Sequence, residues 1–219
     1  MPHLTPPNPK FKAIKLVIFD WSGVISDDRR PVHAADGIVL KKYGIKNRDF
    51  DAWLADTKAS ASEYFAYLGV KGDPVVLKKE YEEALTQTRI NGLHPVLYPV
   101  ARETLQALEQ AQKITAVISK HPTIHLHREA HEYGIAAFFS EIIGDIHDKA
   151  STLQKVLQDT GIHPDHACYV GDMTFDVLAA RQAGVIAVGV PTGYQTKDVL
   201  AAEKPDVMLE KLSDILKYV

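Results

Sequence analysis

The sequence predicts an α/β fold: a doubly wound, Rossmann-like parallel sheet with an inserted α-helical cap domain. Three observations lead there. Residues 14–19, 114–118 and 167–170 form short apolar runs rich in β-branched side chains, the pattern of strands buried on both faces of a parallel sheet. From Pro99 onward, runs of this kind alternate with amphipathic helical segments. Between the first strand and the next, about seventy residues pass without strand-like alternation, which marks an all-helical insertion.

Taken in order, residues 1–12 read as a flexible tail, proline-rich and without the apolar core of a signal peptide. The core then occupies 13–26, resumes at 96 and runs to 219, with the cap domain over 27–95. Within the cap, helices are expected over 32–43, stopped by Gly44, over 50–68, stopped by Gly69, and over 74–90, stopped near Asn91-Gly92. Leu77, Tyr81, Ala84, Leu85 and Thr88 recur at helical spacing in the last of these, as residues packing within the cap would. Hinges are expected near Ile25-Ser26-Asp27-Asp28 and Gly92-Leu93-His94-Pro95. Downstream, Asp148-Lys149 opens an amphipathic helix with Leu153, Val156 and Leu157 on one side, and 173–184 reads as a helix closed by Gly184.

Composition narrows the function. A chain of 219 residues suits one domain plus a modest insertion. Its net charge of −3 gives no electrostatic footprint for nucleic acid. No apolar stretch reaches membrane-spanning length. The one cysteine, Cys168, lies in an apolar strand and reads as a buried, reduced thiol, so a cytoplasmic protein is expected.

The strand ends carry the chemistry. Asp20 closes the first apolar run, where ligands gather in open α/β sheets, although an aspartate there also serves as a turn or helix cap. Ser119 closes the second run and is followed by Lys120 and the helix-starting His121-Pro122-Thr123, so a hydroxyl and backbone N–H groups form a phosphate cradle. Asp172 and Asp176, in Gly171-Asp172-x-x-x-Asp176, sit where the third strand meets its helix. Facing Asp20 across a crevice, they would repel one another without a hard divalent cation between them, and all-oxygen ligation suits Mg²⁺.

With Lys149 at the helix start between the second and third, these make four pieces that, in this order, resemble the haloacid dehalogenase (HAD) superfamily of hydrolases, close to its phosphoglycolate-phosphatase-like branch. The resemblance extends from Lys12 to the end, including Val188-Gly189-Val190-Pro191-Thr192-Gly193-Tyr194 and Lys204-Pro205-Asp206-Val207-Met208, which are similar to that branch's last two strands. It implies that Asp20 is a nucleophile and Mg²⁺ ligand, that the backbone carbonyl of Ser22 and Asp172 are further ligands, and that Asp176 supports the metal. It also implies that Ser119 and Lys149 hold phosphoryl oxygens, and that the substrate is a small phosphorylated metabolite handled by a monomer or homodimer.

One letter departs from the pattern. The family's phosphatases carry a carboxylate two residues after the nucleophile as general acid and base, a role typically worth ~10²–10⁴ in rate; here that position is Ser22. Three readings stay open: a slow or specialised phosphatase, a C–P cleavage like that of phosphonoacetaldehyde hydrolases with Lys58 forming a Schiff base, or an impaired phosphate- or partner-binding protein. Lys58 is either a cap lysine that reaches substrate or a solvated surface residue. In the histidine-rich segment, His125, His127 and His131 read as a solvated helix face, whereas His121 follows Ser119-Lys120 at the crevice and is placed to touch substrate.

Overall fold

The computed structural model describes residues 14–219, so the expected tail over 1–12 lies outside the described residues. Within these residues β1 (Leu16–Phe19) and β2 (Ser26–Asp27) come first. Helices α1 (Arg29–Lys42), α2 (Phe50–Ala55), α3 (Ala61–Tyr67) and α4 (Pro74–Ile90) follow. Next come β3 (Val96–Leu97), α5 (Ala101–Gln110), β4 (Ile114–Ile118), α6 (Thr123–Glu132), β5 (Glu141–Ile143) and α7 (Lys149–Thr160). Then come β6 (Ala167–Gly171), α8 (Thr174–Ala183), β7 (Ile186–Gly189), α9 (Lys197–Ala202) and β8 (Val207–Met208), followed by a 3₁₀ helix over Leu212–Lys217.

Six strands lie side by side in the order β5-β4-β1-β6-β7-β8, and every neighbouring pair is parallel. The pleat explains the uninterrupted apolar runs. Leu16 and Ile18 point into one layer with Leu153 and Leu157 of α7, while Val17 and Phe19 point into the other with Leu105 and Leu108 of α5. Each such side chain stabilises the fold by roughly 1.5–3 kcal/mol on burial. Cys168, on β6, is buried as expected, and burial pushes its thiol up to about 12. No helix among the described residues is long and apolar enough to cross a membrane.

The four-helix insertion packs its own apolar cluster, with Val39, Leu40, Trp53, Phe65, Leu77 and Leu85, and that cluster takes in Met173 and Tyr194 from the sheet side. Helix α4 has the expected span, and Asp73 caps it by accepting from the N–H groups of Val75 and Val76 at 2.8 and 3.2 Å. Three expectations are corrected. Helix α1 starts earlier than residue 32, because Pro31 falls in its first turn, where no N–H is needed. The helix expected over 50–68 is two helices: Thr57 Oγ1 folds back onto the carbonyl of Leu54 at 2.9 Å, and Ser60 caps α3 by accepting from Glu63 N at 3.3 Å. Finally, β2 and β3 pair antiparallel at the foot of the insertion, Ser26 opposite Leu97 and Asp27 opposite Val96; two residues each are too few to register as a period.

Candidate active site

The chain leaves β1 to build β4 and β5 on one side and returns to build β6, β7 and β8 on the other. β1 is therefore the switch point of the sheet, where a crevice opens at the carboxyl ends of the strands. Phe19 lies opposite both Val117 and Val170, so Asp20, Ser119 and Asp172 emerge together at one edge. The Asp20 N–H donates to Val170 O at 2.8 Å and the Ser119 N–H to Ile143 O at 3.0 Å, which extends the ladder to the site residues themselves.

Two glycines permit the close packing. A Cβ at Gly171 would lie 2.2 Å from the Cβ of Asp176, so the first turn of α8 closes onto its strand only with glycine there. Gly23 has φ +77°, and a Cβ there would lie 2.3 Å from Asp172 Oδ2.

Lys149 is the first residue of α7 and is buried. Its ammonium donates to Asp20 Oδ2 at 2.8 Å and to Asp176 Oδ1 at 2.5 Å. Burial works against that charge, but Asp176 and Asp20 outweigh it and hold the lysine above its ordinary pKa. Carboxylate oxygens of Asp20, Asp172 and Asp176 all lie within 4.8 Å of one another. Asp172 Oδ2 accepts from the Tyr194 N–H at 2.6 Å, while its Oδ1 is buried without a partner. Burial, reinforced by Asp176 and Asp20, pushes Asp172 well above the usual carboxylate range, and burial raises Asp176 as well. Three buried carboxylates against one ammonium, with an orphaned oxygen among them, are a donor set that fits a hard divalent cation.

A second polar chain runs behind the first. Ser22 Oγ donates to Asp28 Oδ2 at 2.5 Å, and the Tyr194 hydroxyl donates to Asp28 Oδ1 at 2.8 Å. Asp28 is fully buried, and burial pushes its carboxyl up to about 6 against the pull of His121 and Ser22. His121 Nδ1 lies 3.8 Å from Asp28, and its Nε2 lies 3.6 Å from Glu129 Oε1, whose other oxygen accepts from Trp21 Nε1 at 2.7 Å. Burial opposes a charge on His121, but Glu129 and Asp28 hold its pKa above the ordinary value. His125 is also buried, which overturns its assignment to a solvated face: its ring meets His121 edge-on at 5.9 Å, and burial, with His121 beside it, lowers its pKa to about 4. His127 and His131 are exposed, as expected.

Of the residues singled out from sequence, Asp20, Ser22, Lys58, Ser119, Lys120, His121, Lys149 and Asp172 line one cleft of about 110 Å³ between sheet and insertion. Asp176 joins them through Lys149. Two of the cations are engaged elsewhere: Lys120 pairs with Glu63 at 3.3 Å, and the Lys58 ammonium rests 4.1 Å from the centre of the Tyr67 ring. Sequence reasoning missed Asp28, Asp36 and Glu129. For Asp36 a signal existed, since it interrupts the apolar stripe of α1 between Val32 and Leu40 at four-residue spacing.

The sequence profile of haloacid dehalogenase-like hydrolases matches residues 17–190. The chain belongs to that family. A phosphoglycolate phosphatase of Mannheimia succiniciproducens is 34% identical over 128 residues, 56% of this chain and 57% of that protein. One of Vibrio parahaemolyticus is 28% identical over 226 residues, 94% of this chain and 96% of that protein. The chain thus spans little more than half the length of the relatives it matches at 30% identity or above, and nearly all of some more distant ones. A haloacid dehalogenase-like hydrolase of Streptococcus pneumoniae superposes with a TM-score of 0.83 at 22% identity, covering 94% of this chain and 99% of that one, a likeness of fold.

Proposed function

We propose that this HAD-family chain is a Mg²⁺-dependent phosphatase acting on a small phosphorylated metabolite through an aspartyl phosphate on Asp20. The observation that carries this reading is the Lys149 ammonium held between Asp20 and Asp176 beside the partnerless oxygen of Asp172, at the ends of adjacent strands. The phosphoglycolate phosphatases among its relatives support the same class. Part of the reading is a division into a core over 13–26 and 96–219 and a cap over 27–95, with the cleft between them.

In this mechanism Asp20 attacks phosphorus in line with the leaving oxygen, and the P–O bond to that oxygen breaks. Ser119 and Lys149 hold the phosphoryl oxygens, with Lys120 and His121 also lining the cleft. Mg²⁺, held by Asp20, Asp172, Asp176 and the Ser22 carbonyl, would offset the charge gathering on those oxygens. A serine alone is too weak an acid and base for the remaining step. The 2.5 Å contact supports a relay that runs when Asp28 is protonated and the bond is reversed: the leaving oxygen takes the Ser22 hydroxyl proton while Ser22 takes the proton carried on Asp28 Oδ2. A water then attacks the aspartyl phosphate, and its proton returns through Ser22 to Asp28. Inorganic phosphate leaves and the Asp20 carboxylate is restored.

The test is phosphate release from a panel of phosphate esters, acyl phosphates and phosphonates with Mg²⁺ present. Release from esters, abolished in Asp20→Asn, is the expected result; no release from any phosphate overturns the reading. Titration calorimetry of Mg²⁺ into the wild type and Asp172→Ala should show weaker binding in the variant, and equal affinity would sink the metal assignment. The C–P cleavage alternative has its own signature, a borohydride-trapped adduct of phosphonoacetaldehyde on Lys58, and the engagement of that lysine with Tyr67 argues for none. A cytoplasmic setting, and action as a monomer or homodimer, complete the proposal.

A further inference from the structure

The roof of the cleft holds a carboxyl group that none of these steps uses. Asp36, on α1, is 2% exposed and lines the same cleft as Asp20 and Lys149. Its Oδ2 accepts from the indole N–H of Trp53 at 2.8 Å, and its Oδ1 is buried with no partner. The indole is itself fixed, stacked on Phe50 at 5.6 Å with His33 and Tyr194 against its edges at 5.3 and 5.7 Å. The free oxygen is therefore held in place. Buried polar atoms almost always have partners, and one that lines a substrate cleft awaits its partner from the substrate. Neither Lys58 nor Lys120 is available to it, given their contacts with Tyr67 and Glu63.

We propose that Asp36 is a specificity-determining residue that hydrogen-bonds a hydroxyl on the leaving group, so that the substrate is the monophosphate of a diol or polyol. This rests on the phosphatase reading and deepens it. A hydroxyl suits the position in either protonation state, since it donates to a carboxylate and accepts from a carboxylic acid. A leaving group that ends in a carboxylate, as glycolate does, would bury its charge beside Asp36 with no free cation to pair it. An alkyl group leaves the oxygen orphaned.

The test compares kcat/KM for 2-hydroxyethyl phosphate, ethyl phosphate and 2-phosphoglycolate, which share a two-carbon leaving group, in wild type, Asp36→Asn and Asp36→Leu. The wild type should favour the hydroxyethyl ester over both others by at least ~10-fold, because a site built around a substrate hydroxyl rejects analogues lacking it. Asp36→Asn should keep that preference, and Asp36→Leu should bring the hydroxyethyl-to-ethyl ratio to within about twofold. Should Asp36→Leu fail to show a cooperative melt, Asp36→Ala takes its place. A wild-type ratio near one, 2-phosphoglycolate as the best substrate, or a preference that survives in Asp36→Leu overturns the proposal. If no ester is turned over, p-nitrophenyl phosphate included, the phosphatase reading has failed by itself. Calorimetric affinities of the same three esters, with Mg²⁺ present, then decide: ~10-fold discrimination lost in Asp36→Leu upholds the role of Asp36, and equal affinities refute it.

Discussion

The floor and the roof of the cleft are built by different means. On the floor, Asp20, Ser119 and Asp172 each stand one residue beyond a strand, so the register of a parallel sheet sets their spacing, and the helix start at Lys149 adds an ammonium between Asp20 and Asp176. On the roof, Asp36, Trp53 and Tyr64 come from three separate helices and are held by ring packing against His33, Phe50, Phe65 and Tyr194. In the proposed mechanism the groups that react are fixed by backbone, and the groups that face the rest of the substrate are fixed by side chains. The second kind of site changes with single substitutions while the first keeps its geometry.

Removing the floor's cation should break the comparison most severely. Lys149→Met leaves three buried carboxylates facing one another; phosphate release should fall by ~10²–10³ or more, and the fold should lose ~3–5 kcal/mol, partly restored by Mg²⁺. Thermal melts with and without the cation check this, and equal Mg²⁺ stabilisation of variant and wild type would count against it. Next comes the relay: Asp28→Asn should slow alkyl phosphates by ~10²–10⁴ and aryl phosphates far less, because aryl oxides leave without a proton. Ser22→Asp should raise alkyl phosphate turnover by at least ~10-fold. Equal slowing of both ester classes in Asp28→Asn would remove Asp28 from the mechanism.

Asp36 separates roof from floor by pH. Burial raises its carboxyl from 3.8 to about 8, with the Trp53 hydrogen bond only partly offsetting it. Below the unfolded value both states hold the proton and its contribution is fully present. As pH rises from about 4 to about 8 only the folded state keeps the proton, so stability declines, then levels off. Asp36→Asn should therefore melt higher than wild type by a margin that widens over that range, reaching at least ~1 kcal/mol by pH 8; a margin that does not vary with pH breaks the assignment. The smallest effect belongs to the loop between α2 and α3: Ser60→Ala, which removes the cap on α3, should cost ~0.5–1 kcal/mol in denaturant melts.

The sheet and the floor were legible because a strand buried on both faces has no polar alternation, and the first polar residue after it marks where it ends. Asp20, Ser119 and Asp172 all announce themselves in this way. Gly-Asp-x-x-x-Asp is local too, spanning a single strand-to-helix turn. In sequence Asp28 shows itself only as part of a hinge, because its partner Tyr194 is 166 residues away and nothing nearby shows that a carboxylate will be buried there. His125 was misassigned for the same reason, since its helix is covered by the insertion and not by its own neighbours. The break after α2 has a local sign: Ser60-Ala61-Ser62-Glu63 is the opening of a helix, not the middle of one.

The β2–β3 ribbon adds something that neither floor nor roof holds alone. Asp28 follows β2 directly and is the residue from which α1 starts, so it belongs to the moving side of any rocking about that ribbon. Its two closest side-chain partners, Ser22 and Tyr194, belong to the loops at the sheet's edge. Tilting α1 away would stretch the 2.5 Å contact with Ser22 while leaving Asp20 bonded to Lys149. The ribbon would then act as an interlock, in which the nucleophile stands ready at all times but the proton supply connects only when the helices are seated on a substrate.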